Sequence, residues 1–216
     1  MIKYNHKIIG GKALKNFFKK YSYLMVKLFI TQCVIGLFGN VLALAGVKAE
    51  SGALTIAISV FSIVFYLFLI YLPVWEVGNK DKSAIDGERI KFSPLTGLYI
   101  GLGANIPNYL LAIIQFSLLP LAKTTEGVFS AISGISNIIF MFINGTYTGI
   151  LSEGAFAEGF ALHDYWFMYF LISVPSLIVT TIAYVLGVKE IYLSKAMVPV
   201  NPEELEIKRD KKNNQK

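Results

Sequence analysis

VFSAISGISNIIFMFINGTYTGIL, residues 128–151, has an apolar centre running from Ile138 to Ile143, diluted by Ser130, Ser133, Gly134, Ser136, Asn137, Asn144, Gly145, Thr146 and Thr148. Its length suits a crossing, because a hydrocarbon core about 30 Å thick takes roughly 20 helical residues at about 1.5 Å each. Its polarity suits a segment that only dips into the bilayer. Whether it crosses decides the topology of the whole chain, so the flanking segments have to be read first.

Four other stretches are long and apolar enough to span: about Tyr23 to Gly46, Ala53 to Trp75, Thr96 to Leu121, and Tyr165 to Leu186. Pro175 stands at the centre of the last and is expected to kink it rather than end it. Lysine and arginine near span ends are held on the cytoplasmic side. Residues 1–20 contain six lysines and no acid, and the loop Glu76 to Leu95 contains Lys80, Lys82, Arg89 and Lys91. Between Lys123 and Lys189 there is no lysine or arginine, whereas the tail after Leu186 has seven basic residues against five acids. Both ends therefore read as cytoplasmic, which demands an even number of crossings. The expected fold is an all-α, polytopic transmembrane helix bundle with four full spans, residues 128–151 forming a re-entrant or interfacial hairpin on the outer side. The alternative is five spans. Ser152 to Asp164, with three acids and no lysine, is expected outside.

Composition agrees with a membrane address. Of 216 residues 55% are apolar and 16% charged, with a mean hydropathy of +0.57, against about 45–50% and 25% in soluble domains. Sixteen Phe, 12 Tyr and 2 Trp exclude a disordered chain, and a single cysteine, Cys33, excludes a disulfide scaffold. The +6 charge does not point to nucleic acid, since the basic residues are mostly those that orient the spans. Leu24 to Ala45 is too long an apolar run for a signal peptide, whose hydrophobic region covers about 7–15 residues, so it reads as an uncleaved first span.

Three regions follow. Residues 1–21 read as a basic amphipathic cytoplasmic segment: Leu14, Phe17, Phe18 and Tyr21 recur at helical spacing among Lys12, Lys15, Lys19 and Lys20, a pattern that lies in the inner interface on anionic headgroups. Residues 22–187 form the transmembrane domain, and 188–216 a charged, disordered cytoplasmic tail. Lys19, Lys20, Trp75, Lys80 and Lys189 are the expected interface anchors, with Gly78 as the stop of the second helix. The exits Val77-Gly78-Asn79-Lys80-Asp81 and Leu186-Gly187-Val188-Lys189-Glu190 echo each other after Tyr71 and Tyr184 and read as lying on one face.

The third span is the richest in chemistry. Gly97, Gly101, Ala104, Asn108, Ala112 and Gln115 recur at intervals of three and four and share one helical face, which should meet another helix. Asn105 and Pro107 lie beside this stripe, and Pro107 frees a carbonyl near Gly103, so the region is also the candidate for a polar site at membrane depth. No carboxylate falls inside the spans as drawn, which argues against proton coupling. His6 and His163 fall on opposite sides and share no metal or triad. Asp86-Gly87 with Arg89 resembles the start of the phosphatidyl-alcohol transferase signature, but its two later aspartates have no counterpart. No cofactor is expected, and an enzyme is disfavoured.

The run Tyr71 to Asp81, the Gly-rich third segment with Asn105-Ile106-Pro107, and the exit Tyr184 to Lys189 together resemble small uncharacterised multi-pass proteins of low-GC Gram-positive bacteria. Eighteen lysines against two arginines, Arg89 and Arg209, agree with an AT-rich genome. The resemblance implies no activity. The first expectation is a non-enzymatic subunit or accessory factor acting through helix contacts, as a homo-oligomer or in a membrane complex. The second is small-solute permeation through the Asn105 to Gln115 region, and the third a lipid-modifying enzyme. A polar cavity beside Asn105 and Asn108 would favour permeation, whereas a packed interior with an exposed small-residue face would favour association.

Overall fold

The structure, a computed structural model, describes residues 6–48, 51–124, 127–151, 165 and 167–192. These form α1 (His6–Lys48), α2 (Gly52–Asp86), α3 (Leu95–Ala104), α4 (Ile106–Thr124), α5 (Val128–Ile143), a 3-10 turn at Gly145–Tyr147, α6 (Thr148–Leu151), α7 (Met168–Leu171) and α8 (Val174–Val188). There is no strand among the described residues. Leu14–Gly46, Gly52–Asp86 and Met168–Val188 are each long and apolar enough to cross a membrane. Two further stretches meet that test only as bent pairs, α3 with α4 across 59° and α5 with Gly145–Leu151 across 84°. The fold is an all-helical bundle with three membrane-length apolar helices, or up to five passes if each bent pair is one.

Several boundaries differ from those expected. The basic segment 1–21 does not form a separate interfacial helix where it is described: α1 runs unbroken through position 21. Its apolar face is divided: Phe17 packs against Tyr99 at 6.0 Å and Tyr21 is buried, whereas Leu14 and Phe18 are exposed. The loop after Trp75 is helical to Asp86, and Gly78 lies inside α2 instead of stopping it. Glycine there serves a crossing. A Cβ at Gly78 would collide with the Tyr184 carbonyl, and one at Gly187 with the Trp75 carbonyl, so α2 and α8 cross backbone to backbone. Pro175 stands in the first turn of α8, where its missing N–H is harmless; a two-residue turn at Ile172 and Ser173, still with helical dihedral angles, separates α7 from α8 while Met168–Val188 continues as one membrane-length helix. The expected outer loop 152–164 and the tail beyond 192 lie outside the described residues.

Contacts fix the direction of each piece. Gly46 meets Thr55 at one end of the α1–α2 pair, and Tyr21 meets Asp81 at the other, so these helices are antiparallel. α3 climbs beside α1, with Phe17 on Tyr99 and Met25 on Gly103. α8 descends beside α3, from Ser176 at Asn105 to Thr180 at Gly97. α5 runs antiparallel to α4, from Ser133 at Gln115 to Asn144 at Asn108. Beyond the 84° bend the chain turns back along α1: Thr146 lies on Gly39, Thr148 on Asn40, and Gly149 on Thr55 and Ser59 of α2. Residues 128–151 thus form a hairpin whose apex, Asn144-Gly145, sits in mid-bundle.

Burial is inverted relative to a soluble bundle. Val26, Ile30, Val34, Val41 and Leu44 on α1, and Ile132, Ile135, Ile138 and Phe142 on α5, face outward. Gln32, Ser59, Ser62, Asn108, Gln115, Ser133, Asn144 and Thr180 are buried. An apolar core of Leu24, Met25, Leu28, Ile70, Val74, Ile100 and Ala183 fills the Tyr21/Asp81 end.

The ends of α2 and α8 share one geometry. Arg89 N–H bonds the Ala84 carbonyl and Glu88 N–H that of Ile85, while Ile191 N–H bonds Leu186 and Glu190 N–H bonds Gly187. This is the Schellman pattern, and it places Glu88 (φ 55°) and Glu190 (φ 54°) in the left-handed region that glycine prefers. Glu88→Gly is therefore expected to stabilise the protein by about 0.5–1 kcal/mol, the relief of left-handed strain less the added chain entropy. Glu190→Gly should gain less, because Glu190 also holds Lys82 at 2.6 Å. Thermal melts in detergent check both.

Candidate functional site

The bend at Asn105 begins the site. Pro107 cannot donate to the carbonyl one turn back, so α3 ends at Ala104. Asn105 caps the end of α3: its Nδ2 donates at 2.9 Å to the Gly101 carbonyl, which also accepts the Asn105 backbone N–H, and at 3.0 Å to Ser176 Oγ of α8. Asn108 Nδ2 donates to Asn105 Oδ1 at 2.9 Å, and Asn144 Nδ2, from the hairpin apex, donates to Asn108 Oδ1 at 3.2 Å. Gln32 Nε2 of α1 donates to Asn144 Oδ1 at 2.7 Å. At the far end Ser176 Oγ donates to the Ser173 carbonyl at the turn before α8. The result is a single file of hydrogen bonds from α1 to α8, with every amide oriented the same way and each member no more than 5% exposed. Links in such a chain polarise one another in a medium of low dielectric.

Two smaller links brace the hairpin. Gln115 and Ser133 exchange bonds, Nε2 to the Ser133 carbonyl at 2.9 Å and Ser133 Oγ to Oε1 at 3.2 Å. Asn40 Nδ2 donates to the Met141 carbonyl at 3.1 Å and its Oδ1 accepts from Thr148 Oγ1 at 2.7 Å. Gly36 and Gly39 make this possible: a Cβ on either would strike the backbone of the turn, at Ile143 or at Thr146.

The glycine-amide stripe is wholly buried, yet it does not meet a single helix as expected. The 59° bend divides it. Gly97 and Gly101 press on Thr180 of α8, while Asn108 and Gln115 bond to α5 residues or the apex beyond them. Ala104 and Ala112 are buried, Pro107 is half-buried at the bend, and Asn105 is a central member of the chain, not a neighbour of it. Of the anchors, Lys19, Lys80 and Lys189 are exposed. Lys20 is exposed as well, and its Nζ also stands 2.7 Å from Asp81 Oδ1. Trp75 Nε1 donates to the Ile191 carbonyl at 2.9 Å.

Sequence reasoning missed Asp81, Gln32 and Asn40. Asp81 is 5% exposed and ties three helices, accepting from Tyr21 Oη at 2.5 Å and Tyr184 Oη at 3.0 Å. The signal was the spacing Tyr71, Val74, Gly78, Asp81, which continues the buried face of α2 past Trp75. Gln32, Gly36, Gly39 and Asn40 likewise share one face of α1. Nearby, Lys82 Nζ pairs with the Glu190 carboxylate at 2.6 Å. Among the described residues no group of three metal-ligating side chains comes together. No model of a known protein family, no curated protein and no solved structure matches the chain.

Asn144→Ala strands the Gln32 donor and the Asn108 acceptor without water, and is expected to destabilise the protein by about 1–3 kcal/mol. Because the amides act as a unit, Asn108→Ala with Asn144→Ala should cost less than the sum of the single changes. Denaturant titration of the four proteins in mixed micelles measures both.

Proposed function

We propose that the chain is a multi-pass protein of a bacterial cytoplasmic membrane and acts as a non-enzymatic subunit or accessory factor through helix contacts. It crosses four times, by α1, α2, α3–α4 and α7–α8, with both ends in the cytoplasm and residues 128–151 re-entering from outside. The reversal of direction at Asn144-Gly145 supports the re-entrant hairpin. Lys20, Lys82 and Lys189, distant in sequence, belong to one end of the bundle around Asp81 and Glu190, which supports a shared inner end facing anionic headgroups.

The observation that carries the reading is the closure of the amide chain: its polar atoms are satisfied by one another and face inward, so the surface open to partners is the apolar exterior. On that exterior α5 presents Ser130, Ala131 and Gly134, and a Cβ at Gly134 would meet nothing within 4 Å. Small residues there let a second helix approach closely. A small-solute permeation protein is the second reading. It is favoured by the three helix interruptions that converge on the chain, and by the Ser62 and Tyr147 hydroxyls, buried without a hydrogen-bond partner among the described residues.

Light scattering of the purified wild type is expected to show a higher-mass assembly, which Gly134→Leu should abolish while leaving the melting temperature unchanged. Wild type that is monomeric and alone at every concentration would sink the association reading, and solute flux in proteoliposomes would install the second. For topology, cysteines at Ser152 and Ser194 in a variant lacking Cys33 should label from opposite sides of the membrane. Labelling from one side would restore five spans.

A further inference from the structure

The exterior carries two grooves of contrasting chemistry. One, about 650 Å³, lies between α1 and α3–α4 and is walled by side chains such as Phe17, Phe18, Leu102 and Ile106, with no charged group. The other, about 580 Å³, runs between α1 and α2. Its walls include Ile30, Val34, Leu69 and Leu72, and its mouth has both Lys27 and Glu76. Both charged residues are exposed, and neither forms an ion pair within 4 Å among the described residues.

Their level is fixed by the Tyr21–Asp81 bond: Lys27 is six residues along α1 from it, and Glu76 five residues back along α2, so the two charges stand side by side. Glu76 adjoins Trp75, the aromatic residue that bonds across to Ile191, which places this mouth among headgroups and the apolar walls among acyl chains. The mouth therefore offers one cation and one acceptor, the Lys27 ammonium and the unpaired Glu76 carboxylate.

We propose that this groove is a binding site for a zwitterionic phospholipid bearing a primary ammonium, of the phosphatidylethanolamine type. An acyl chain fills the channel between α1 and α2, the phosphate pairs with Lys27, and the ammonium N–H groups are taken by the Glu76 carboxylate. A purely anionic lipid would satisfy Lys27 but set its charge against Glu76. A quaternary ammonium has no N–H to give. The neighbouring uncharged groove lacks the means to select a headgroup.

The test is native mass spectrometry of the full chain, stripped of lipid and returned to mixed micelles holding equal amounts of phosphatidylethanolamine, phosphatidylglycerol and phosphatidylcholine. The protein should retain phosphatidylethanolamine over either competitor by about fivefold. Lys27→Gln should lower retention of all three lipids, whereas Glu76→Gln should lower phosphatidylethanolamine alone. Both side chains are exposed, and unchanged melting curves would show that the variants fold. Equal retention of phosphatidylethanolamine and phosphatidylcholine, preference for phosphatidylglycerol, or no effect of Glu76→Gln would each overturn the proposal. None of these results bears on whether α5 assembles with a partner, so the two readings fail separately.

Discussion

A polar group that faces hydrocarbon has nothing to bond with, so in a bundle of apolar exterior amides, hydroxyls and broken helix ends turn inward. The amides bond one another there, while the Ser62, Tyr71, Ser136 and Tyr147 hydroxyls are buried without a hydrogen-bond partner among the described residues. The placement of residues follows from that constraint. α5 shows it most plainly. Ser133, Ser136, Phe140 and Asn144 face inward at helical spacing while the isoleucines face out, the reverse of an amphipathic helix in water. The same constraint sets where the chain can interrupt its helices. Breaks occur at Asn105 and at Asn144, a turn precedes Pro175, and each supplies a side chain or a carbonyl to the one file of hydrogen bonds. Backbone that leaves the helix at this depth is tolerated because the interruptions satisfy one another.

The reach of sequence reasoning follows from what each residue type encodes by itself. Apolar length is a local property, so the helical class and the long spans were legible, as was the small-residue face from Gly97 to Gln115. The identity of its partners was not, because Asn105-Ile106-Pro107 is compatible with a gentle kink or a full break. The outcome depends on Ser176 standing across the gap, 71 residues away. Gly78 shows the same ambiguity. Glycine ends helices and also lets helices cross, and only the presence of Gly187 and the Tyr184 carbonyl opposite it selects the second role. Asp81 looked like a loop residue because charge usually marks solvent, whereas two tyrosines from α1 and α8 supply the hydrogen bonds that let a carboxylate be buried.

The two ends of the bundle are built differently, and this divides the work. At the end holding Tyr21, Asp81 and Tyr184 the helices are locked by an apolar core, a buried carboxylate and the backbone crossing of α2 with α8. From mid-bundle to the other end, the hairpin is held by side-chain hydrogen bonds and glycine clearances together with a second apolar cluster of Ala112, Phe140, Tyr147, Leu151, Tyr169 and Ile172. Packing of the first kind tolerates little rearrangement. Hydrogen bonds between amides can exchange partners at similar energy.

That difference bears on how a closed interior relates to function. Interhelical hydrogen bonds in membranes average about 0.6 kcal/mol and reach about 1.7, so parting the links that Asn144 makes with Gln32 and Asn108 costs on the order of 1–3 kcal/mol before neighbouring groups are counted. A gap of a few kcal/mol leaves a minor state populated at roughly 0.1–10%. The residues flanking the apex, Phe140 and Tyr147, also pack in the second apolar cluster, and their burial adds to the cost of displacing it. A partner helix seated on α5 would bear directly on that apex, since the surface it touches and the Asn144 amide belong to the same helix and its cap. Under the association reading, contact on the outer face of α5 would shift the balance of the inner chain, and an intact inner chain would hold the outer face in register for contact.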